Sequence, residues 1–245
     1  MNEAEIFTEK KNLVIAVPSH GAYDIAGQYP EPSPKSLDRV NAALAMYIES
    51  INSGNYETVS VVFIGGWRGG ENPSTADLMS DAFKKLLESE TENITATPLV
   101  SYILGNSKET KRNITDLHQL LVNQFNPEIT EVKIVSQKYH NALGRLDRLS
   151  DNLLGEFAEV TQFVTVEELI NKFPERFEQT MELKRSPTLA EMMHIFVIEA
   201  GHLLDRITRN KFKYEEFVYN DINVLRQKKF AFNALVGRFL NLQGK

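Results

Sequence analysis

The chain contains no cysteine. Disulfides and thiolate metal sites are therefore excluded, and a reducing compartment is the natural expectation. No apolar run approaches the roughly 20 residues needed to span a bilayer. The opening MNEAEIFTEKK brings in charge too early for a signal peptide. These absences predict a cytoplasmic protein with no membrane partner. The nucleotide fingerprints are missing too. The glycine-rich stretch GGWRGGENPST (residues 65–75) matches neither the dinucleotide motif nor the P-loop, which needs Lys-Ser/Thr after its last glycine.

What is present is an ordinary globular composition: 245 residues, 42% hydrophobic and 24% charged. That is enough for one large domain, or for a domain with a substantial appendage. The net charge of −6 is unevenly placed: residues 166–245 carry 13 basic and 11 acidic side chains, so the remaining 165 residues hold −8. An acidic body repels phosphate backbones, which disfavours nucleic acid as a partner. A small anionic ligand remains compatible, because local amides and one arginine outweigh a diffuse charge.

Short apolar runs alternate with helical periodicity. Leu13–Val17, Val59–Ile64, Leu99–Leu104 and Val132–Ser136 read as buried strands, with Phe163–Val166 a weaker fifth. Between them, Ser36–Ile51 puts Leu37, Val40, Leu44, Tyr47, Ile48 and Ile51 on one stripe, and Thr75–Leu87 and Lys108–Phe125 behave similarly. Strand, helix, strand at this spacing predicts a parallel sheet. From about Val166 the pattern turns helical, over Val166–Phe173, Thr188–Arg209 and Asn220–Leu242, with Pro174–Pro187 as the linker. The expected architecture is α/β: a Rossmann-like three-layer domain with a mainly parallel sheet over residues 1–165, and a C-terminal all-helical extension over 166–245.

Ligands of parallel α/β sheets bind beyond the carboxyl ends of the strands, where strand order reverses. The segments that follow the four clear strands are PSHGAYD, GGWRGGENPST, GNSKET and SQKYHN, all rich in Gly, Ser, His, Asn and charge. Gly65 and Gly66 stand where backbone amides and a following helix N-terminus meet an anion. The competing reading is an irregular turn.

These residues also resemble the SanA/ElyC/YdcF-like proteins, an α/β family of largely unknown function, over about Leu13 to Asp151. The likeness rests on Arg39 in SLDRVNAALAMY, on Gly65 and Gly66, on Asp77 and Met79 in STADLM, on Ser107, Thr110 and Asn113 in NSKETKRNI, and on Ser136 and His140 in VSQKYH. The chain departs from the family where Thr75 replaces a glutamate and Leu143 an arginine, with Arg145 two positions on and Asp77 the nearest substitute acid. Several relatives look membrane-anchored and concerned with the cell envelope; the expectation for this chain is no anchor and no such role.

Weighed singly, each residue has a plain alternative. Arg39, off the apolar stripe, is a surface arginine or, as the resemblance implies, a ligand contact. His140 is a capping or packed histidine, or an acid/base. Asp77 is its partner, or a helix-start acid. Ser107, Thr110 and Asn113 contact ligand or cap the third helix. The Glu-x-x-His pairs EMMH and EAGH fall on a solvated helix face, so no metal is expected. The expected site is then His140 and Asp77 as catalytic groups, with Ser19, Arg39, Gly65, Gly66, Ser107, Thr110, Asn113, Ser136 and Arg145 around the ligand. The first functional expectation is an enzyme acting on a small phosphorylated or nucleotide-like compound. A non-catalytic module binding such a ligand, S-adenosylmethionine included, is the second. A structural partner acting through its C-terminal helices, with homodimerisation open, is the third. No cofactor is named by the residues.

Overall fold

The structure is a computed structural model that describes residues 10–20, 22–23, 31–66, 73–90, 99–106, 110–138, 140–141 and 145–177. The contacts divide the chain into two compact units, Met1–Ser186 and Pro187–Lys245, and the described residues all belong to the first. The expected helices Thr188–Arg209 and Asn220–Leu242 lie outside the described residues.

The elements run β1 (Lys11–Pro18), two short antiparallel strands β2 (Ala22–Tyr23) and β3 (Glu31–Pro32), α1 (Pro34–Ser53) and β4 (Tyr56–Ile64). They continue with α2 (Thr75–Ser89), β5 (Val100–Leu104), α3 (Thr110–Gln124), β6 (Thr130–Ser136), α4 (Arg145–Leu153), β7 (Thr161–Thr165) and α5 (Val166–Lys172). The main sheet is five-stranded and wholly parallel, in the order β5-β4-β1-β6-β7. Counted along the chain within that sheet, this is the Rossmann order 3-2-1-4-5. The α/β expectation therefore holds, including the weak fifth strand.

Apolar alternation along the strands feeds two cores. Leu13, Ile15, Val17, Val61 and Phe63 pack under α1, α2 and α5, whereas Val14, Ala16, Val62, Ile64, Val132 and Ile134 pack under α3. Leu13 to Val17 are fully buried, as befits a central strand with helices on both faces. Leu13, Val14, Ile15 and Val17 each stabilise the fold by about 1.5–3 kcal/mol. Phe83 stands edge-on to both Tyr47 and Phe63, which locks α1 and α2 onto β4.

Helix α1 is buried more widely than a one-sided stripe requires. It packs against β1, β4 and β6 below it and against α2 and α5 on its flanks. Ala42, Ala45 and Met46 are buried along with Leu44, Tyr47 and Ile48. It starts on the Ser33 cap with Pro34 in its first turn, and stops at Gly54, whose φ of 65° is a left-handed cap. Beyond α5 the chain turns through a short 3-10 helix, Pro174–Phe177, and buries Phe177 in the α1 core, so the start of the segment read as a linker is part of the packed body. Among the described residues no helix is long and apolar enough to cross a membrane.

Candidate functional site

The sheet opens where its strand order reverses. The ladder between β1 and β6 ends at Ala16↔Ile134. From there β1 stays with β4 as far as Pro18↔Ile64, while β6 stays with β7 as far as Ser136↔Thr165. Val17–His20 and Val135–Lys138 therefore run on unpaired with each other, at the crevice position where open α/β sheets take their ligands.

Polar side chains cross beneath this crevice. Arg39 is fully buried; its Nε donates to Gln137 Oε1 at 2.5 Å and its Nη1 to the Pro18 carbonyl at 2.5 Å. Gln137, 1% exposed, donates through Nε2 to the Lys35 carbonyl at 2.8 Å. Arg39 is thus not the solvated surface arginine that its place off the stripe suggested. It is an internal bridge, because α1 is covered on its flanks as well as below.

The two strand ends each present an imidazole. His20 and His140 have ring centroids 6.0 Å apart, tilted by 52°. The His20 amide donates to Ser36 Oγ at 2.9 Å, and the His140 amide to the Gln137 carbonyl at 2.9 Å. Ser136, just before this turn, is buried with its Oγ unpartnered among the described residues, on the same sheet face as Val132 and Ile134. Asn113, in the first turn of α3 over that face, likewise buries an unpartnered Oδ1.

Across the β4–β5 part of the same edge, polar groups are spent locally. Gly65 takes φ 149°, and a Cβ there would lie 2.0 Å from Ser19 Oγ, so glycine is required by both backbone and neighbour. Its N–H donates to the Leu104 carbonyl at 3.0 Å, and its carbonyl accepts from the Ala76 amide at 2.9 Å. The Gly66 carbonyl accepts from Thr75 Oγ1 at 3.1 Å. The glycine pair is a turn closing β4 onto β5 and α2, with the Gly65 amide already engaged. Asp77 forms a capping box with Ser74: its Oδ2 accepts from the Ser74 amide at 2.8 Å and from Ser74 Oγ at 2.5 Å, and the Asp77 amide donates back to Ser74 Oγ at 3.1 Å.

Of the expected site residues, Ser19, Gly65, Gly66, Ser136 and His140 follow or end strands at this carboxyl edge, with Arg39 buried beneath the crevice. Thr110 and Asn113 open α3, and Arg145 is the first residue of α4. His140 itself lies in a short turn ahead of α4, its amide closing on Gln137. Ser107 lies outside the described residues. Sequence reasoning passed over His20, Ser36 and Gln137. Two of them sat inside quoted segments, PSHGAYD and SQKYHN, and Ser36 stands three residues after the capping Ser33. Among the described residues no group of three or more His, Cys, Asp or Glu is arranged to hold a metal. Compared with known proteins, the chain matches no family model, no curated protein and no solved structure.

Proposed function

We propose that the crevice between β1 and β6 binds a small phosphorylated or nucleotide-like compound and that the protein is a cytoplasmic enzyme acting on it. The observation that carries this reading is the pair of imidazoles, His20 and His140, whose ring centroids lie 6.0 Å apart just beyond the two strands that flank the reversal of strand order. Imidazole gives and takes protons near neutral pH, so one ring serves as base while the other serves as acid or holds a ligand oxygen. The buried guanidinium of Arg39 favours negative charge above it. Ser136 Oγ and Asn113 Oδ1 offer hydrogen-bonding capacity that the described residues leave unused. The resemblance to the SanA/ElyC/YdcF-like proteins points to the same strand ends, through Arg39, Ser136 and His140.

The test begins with thermal-shift screening against phosphate monoesters and nucleotides, followed by turnover of whatever binds. His140→Ala should lower turnover by about 100-fold or more, the usual contribution of a positioned acid/base, with affinity little changed. A ligand that binds and is never turned over makes the protein a sensing module. If none of these compounds binds, or if binding survives the loss of both histidines, the crevice is not the site.

A further inference from the structure

We infer that the first turn of α1 is the frame that sets the spacing of the two histidines, with Gln137 and Ser36 as its positioning residues. This rests on the reading of the β1–β6 crevice as the site, and it adds how that site is built. The sheet itself does not set the spacing, because the β1–β6 ladder ends at Ala16↔Ile134, short of both imidazoles. What reaches both is α1. On one side, the Ser36 amide donates to Ser33 Oγ at 3.2 Å and the Ser33 hydroxyl to Ser36 Oγ at 3.1 Å. That capped hydroxyl accepts the His20 amide at 2.9 Å.

On the other side, Gln137 is fastened to the same turn twice, at the Lys35 carbonyl and at Arg39 Nε. Its own carbonyl then accepts the His140 amide. Arg39 Nη1 closes the circuit on Pro18, two residues before His20. Each imidazole thus hangs one backbone hydrogen bond away from residues 33–39. A change in that turn moves one ring against the other.

The frame is tested without any ligand, by following histidine side chains in the full chain by NMR through a pH titration. Five histidines are present, and the signals of His20 and His140 are assigned by replacing each in turn. Two imidazolium charges about 6 Å apart in a water-like medium repel enough to couple their protonation. Whichever of the pair protonates second should therefore do so about 0.5 pH higher once its neighbour is replaced by Gln. In a Gln137→Leu background that gain should shrink below about 0.2 pH, because rings about 10 Å apart are largely screened from each other at ordinary salt. Leu121→Ala, which opens the α3 core, should lower the melting temperature while leaving the coupling intact.

Coupling that persists in Gln137→Leu overturns the inference, as does its equal loss in Leu121→Ala. Should Gln137→Leu fail to fold, Ser36→Ala removes the hydroxyl that accepts the His20 amide and the Ser33 hydroxyl, and leaves the Gln137 side untouched. Loss of coupling there supports the frame, and retention overturns it. A frame that passes this test in a protein that binds none of the screened compounds leaves the inference standing and removes the functional reading alone.

Discussion

The carboxyl edge of this sheet carries two polar regions of similar composition, and they do different things. Between β4 and β5, Gly65, Gly66, Ser74, Thr75 and Asp77 satisfy one another through a turn and a capping box. Between β1 and β6, Arg39, Gln137 and Ser36 join three elements beneath a crevice and leave two imidazoles at its mouth. The difference is one of strand pairing. The β4–β5 ladder continues to Ile64↔Leu104, and just beyond it the Gly65 amide donates to the Leu104 carbonyl. The β1–β6 ladder stops short, and among the described residues the side chains of α1 bond to both strand ends beyond it. Polar residues at strand ends close on one another where the ladder runs on, and bond to a neighbouring helix where it stops.

The sharpest way to break this comparison is to remove the bridge. Arg39→Met should cost on the order of 3–5 kcal/mol, since two charge-assisted hydrogen bonds are lost and the buried Gln137 Oε1 and Pro18 carbonyl are left without their donor. Urea unfolding measures this. A loss within 0.5 kcal/mol would be the behaviour of a surface arginine and would dissolve the distinction between the two regions.

Next in size, Gly65→Ala should destabilise by about 1–3 kcal/mol from its backbone conformation, with the overlap on Ser19 adding to it. Ser19→Gly in the same chain should recover the overlap and leave the conformational part. Complete recovery would mean that the backbone there is unstrained.

Asp77→Ala should cost about 1 kcal/mol, the worth of a helix cap, and leave ligand affinity and turnover per folded molecule alone. If turnover collapses while the fold survives, the β4–β5 region is catalytic after all, and Asp77 regains the role that the sequence suggested for it.

The smallest effect lies at the amino edge of the sheet, where a polar cluster serves no loop. Tyr56 donates to Glu131 Oε2 at 2.8 Å, and Lys133 Nζ lies 3.0 Å from Glu131 Oε1. Burial pushes the Glu131 carboxyl up, but the hydrogen bonds from Lys133 and Tyr56 outweigh it and hold its pKa below the ordinary 4.5. Burial likewise pushes Lys133 down, and Glu131 more than restores it, to above the ordinary 10.5. A lowered carboxylate stabilises the fold above its unfolded pKa, and the gain is lost as pH falls through the folded value; a raised ammonium does so below its unfolded pKa, and loses the gain as pH rises. The stability difference between the native chain and Glu131→Gln should therefore be flat across neutral pH, at a few tenths to 1 kcal/mol. It should fade below pH 4.5 and above pH 10.5. A difference unchanged at pH 3 would show that the carboxylate charge is not what matters.

Much of the fold was legible because burial writes a local pattern. The run LVIAV could only be a strand covered on both faces, and the stripe from Val40 to Ile48 could only be a helix lying on it. A helix was expected to begin at His140, whereas α4 begins at Arg145; Arg145–Leu153 is short and strongly charged and carries too little apolar repetition to mark its own start. The candidate site was half legible. The strand-end segments were picked out by composition, but composition could not tell the glycine turn from the crevice. His20 and Gln137 passed unnoticed, though both lay in those segments, because nothing local distinguishes a histidine that meets another across the sheet from one that does not.

By itself, then, the sequence determined the alternation of strand and helix, the parallel sheet, and the edge at which polar residues gather, because each depends on spacings of two to four residues along one element. The tertiary structure alone decided that β1 lies beside β6, that Arg39 is an internal bridge, and that His20 faces His140. Arg39 and Gln137 are 98 residues apart in the chain. No local periodicity records a contact over that distance; it exists only once α1 has been covered on its flanks and the two central strands have parted at their ends.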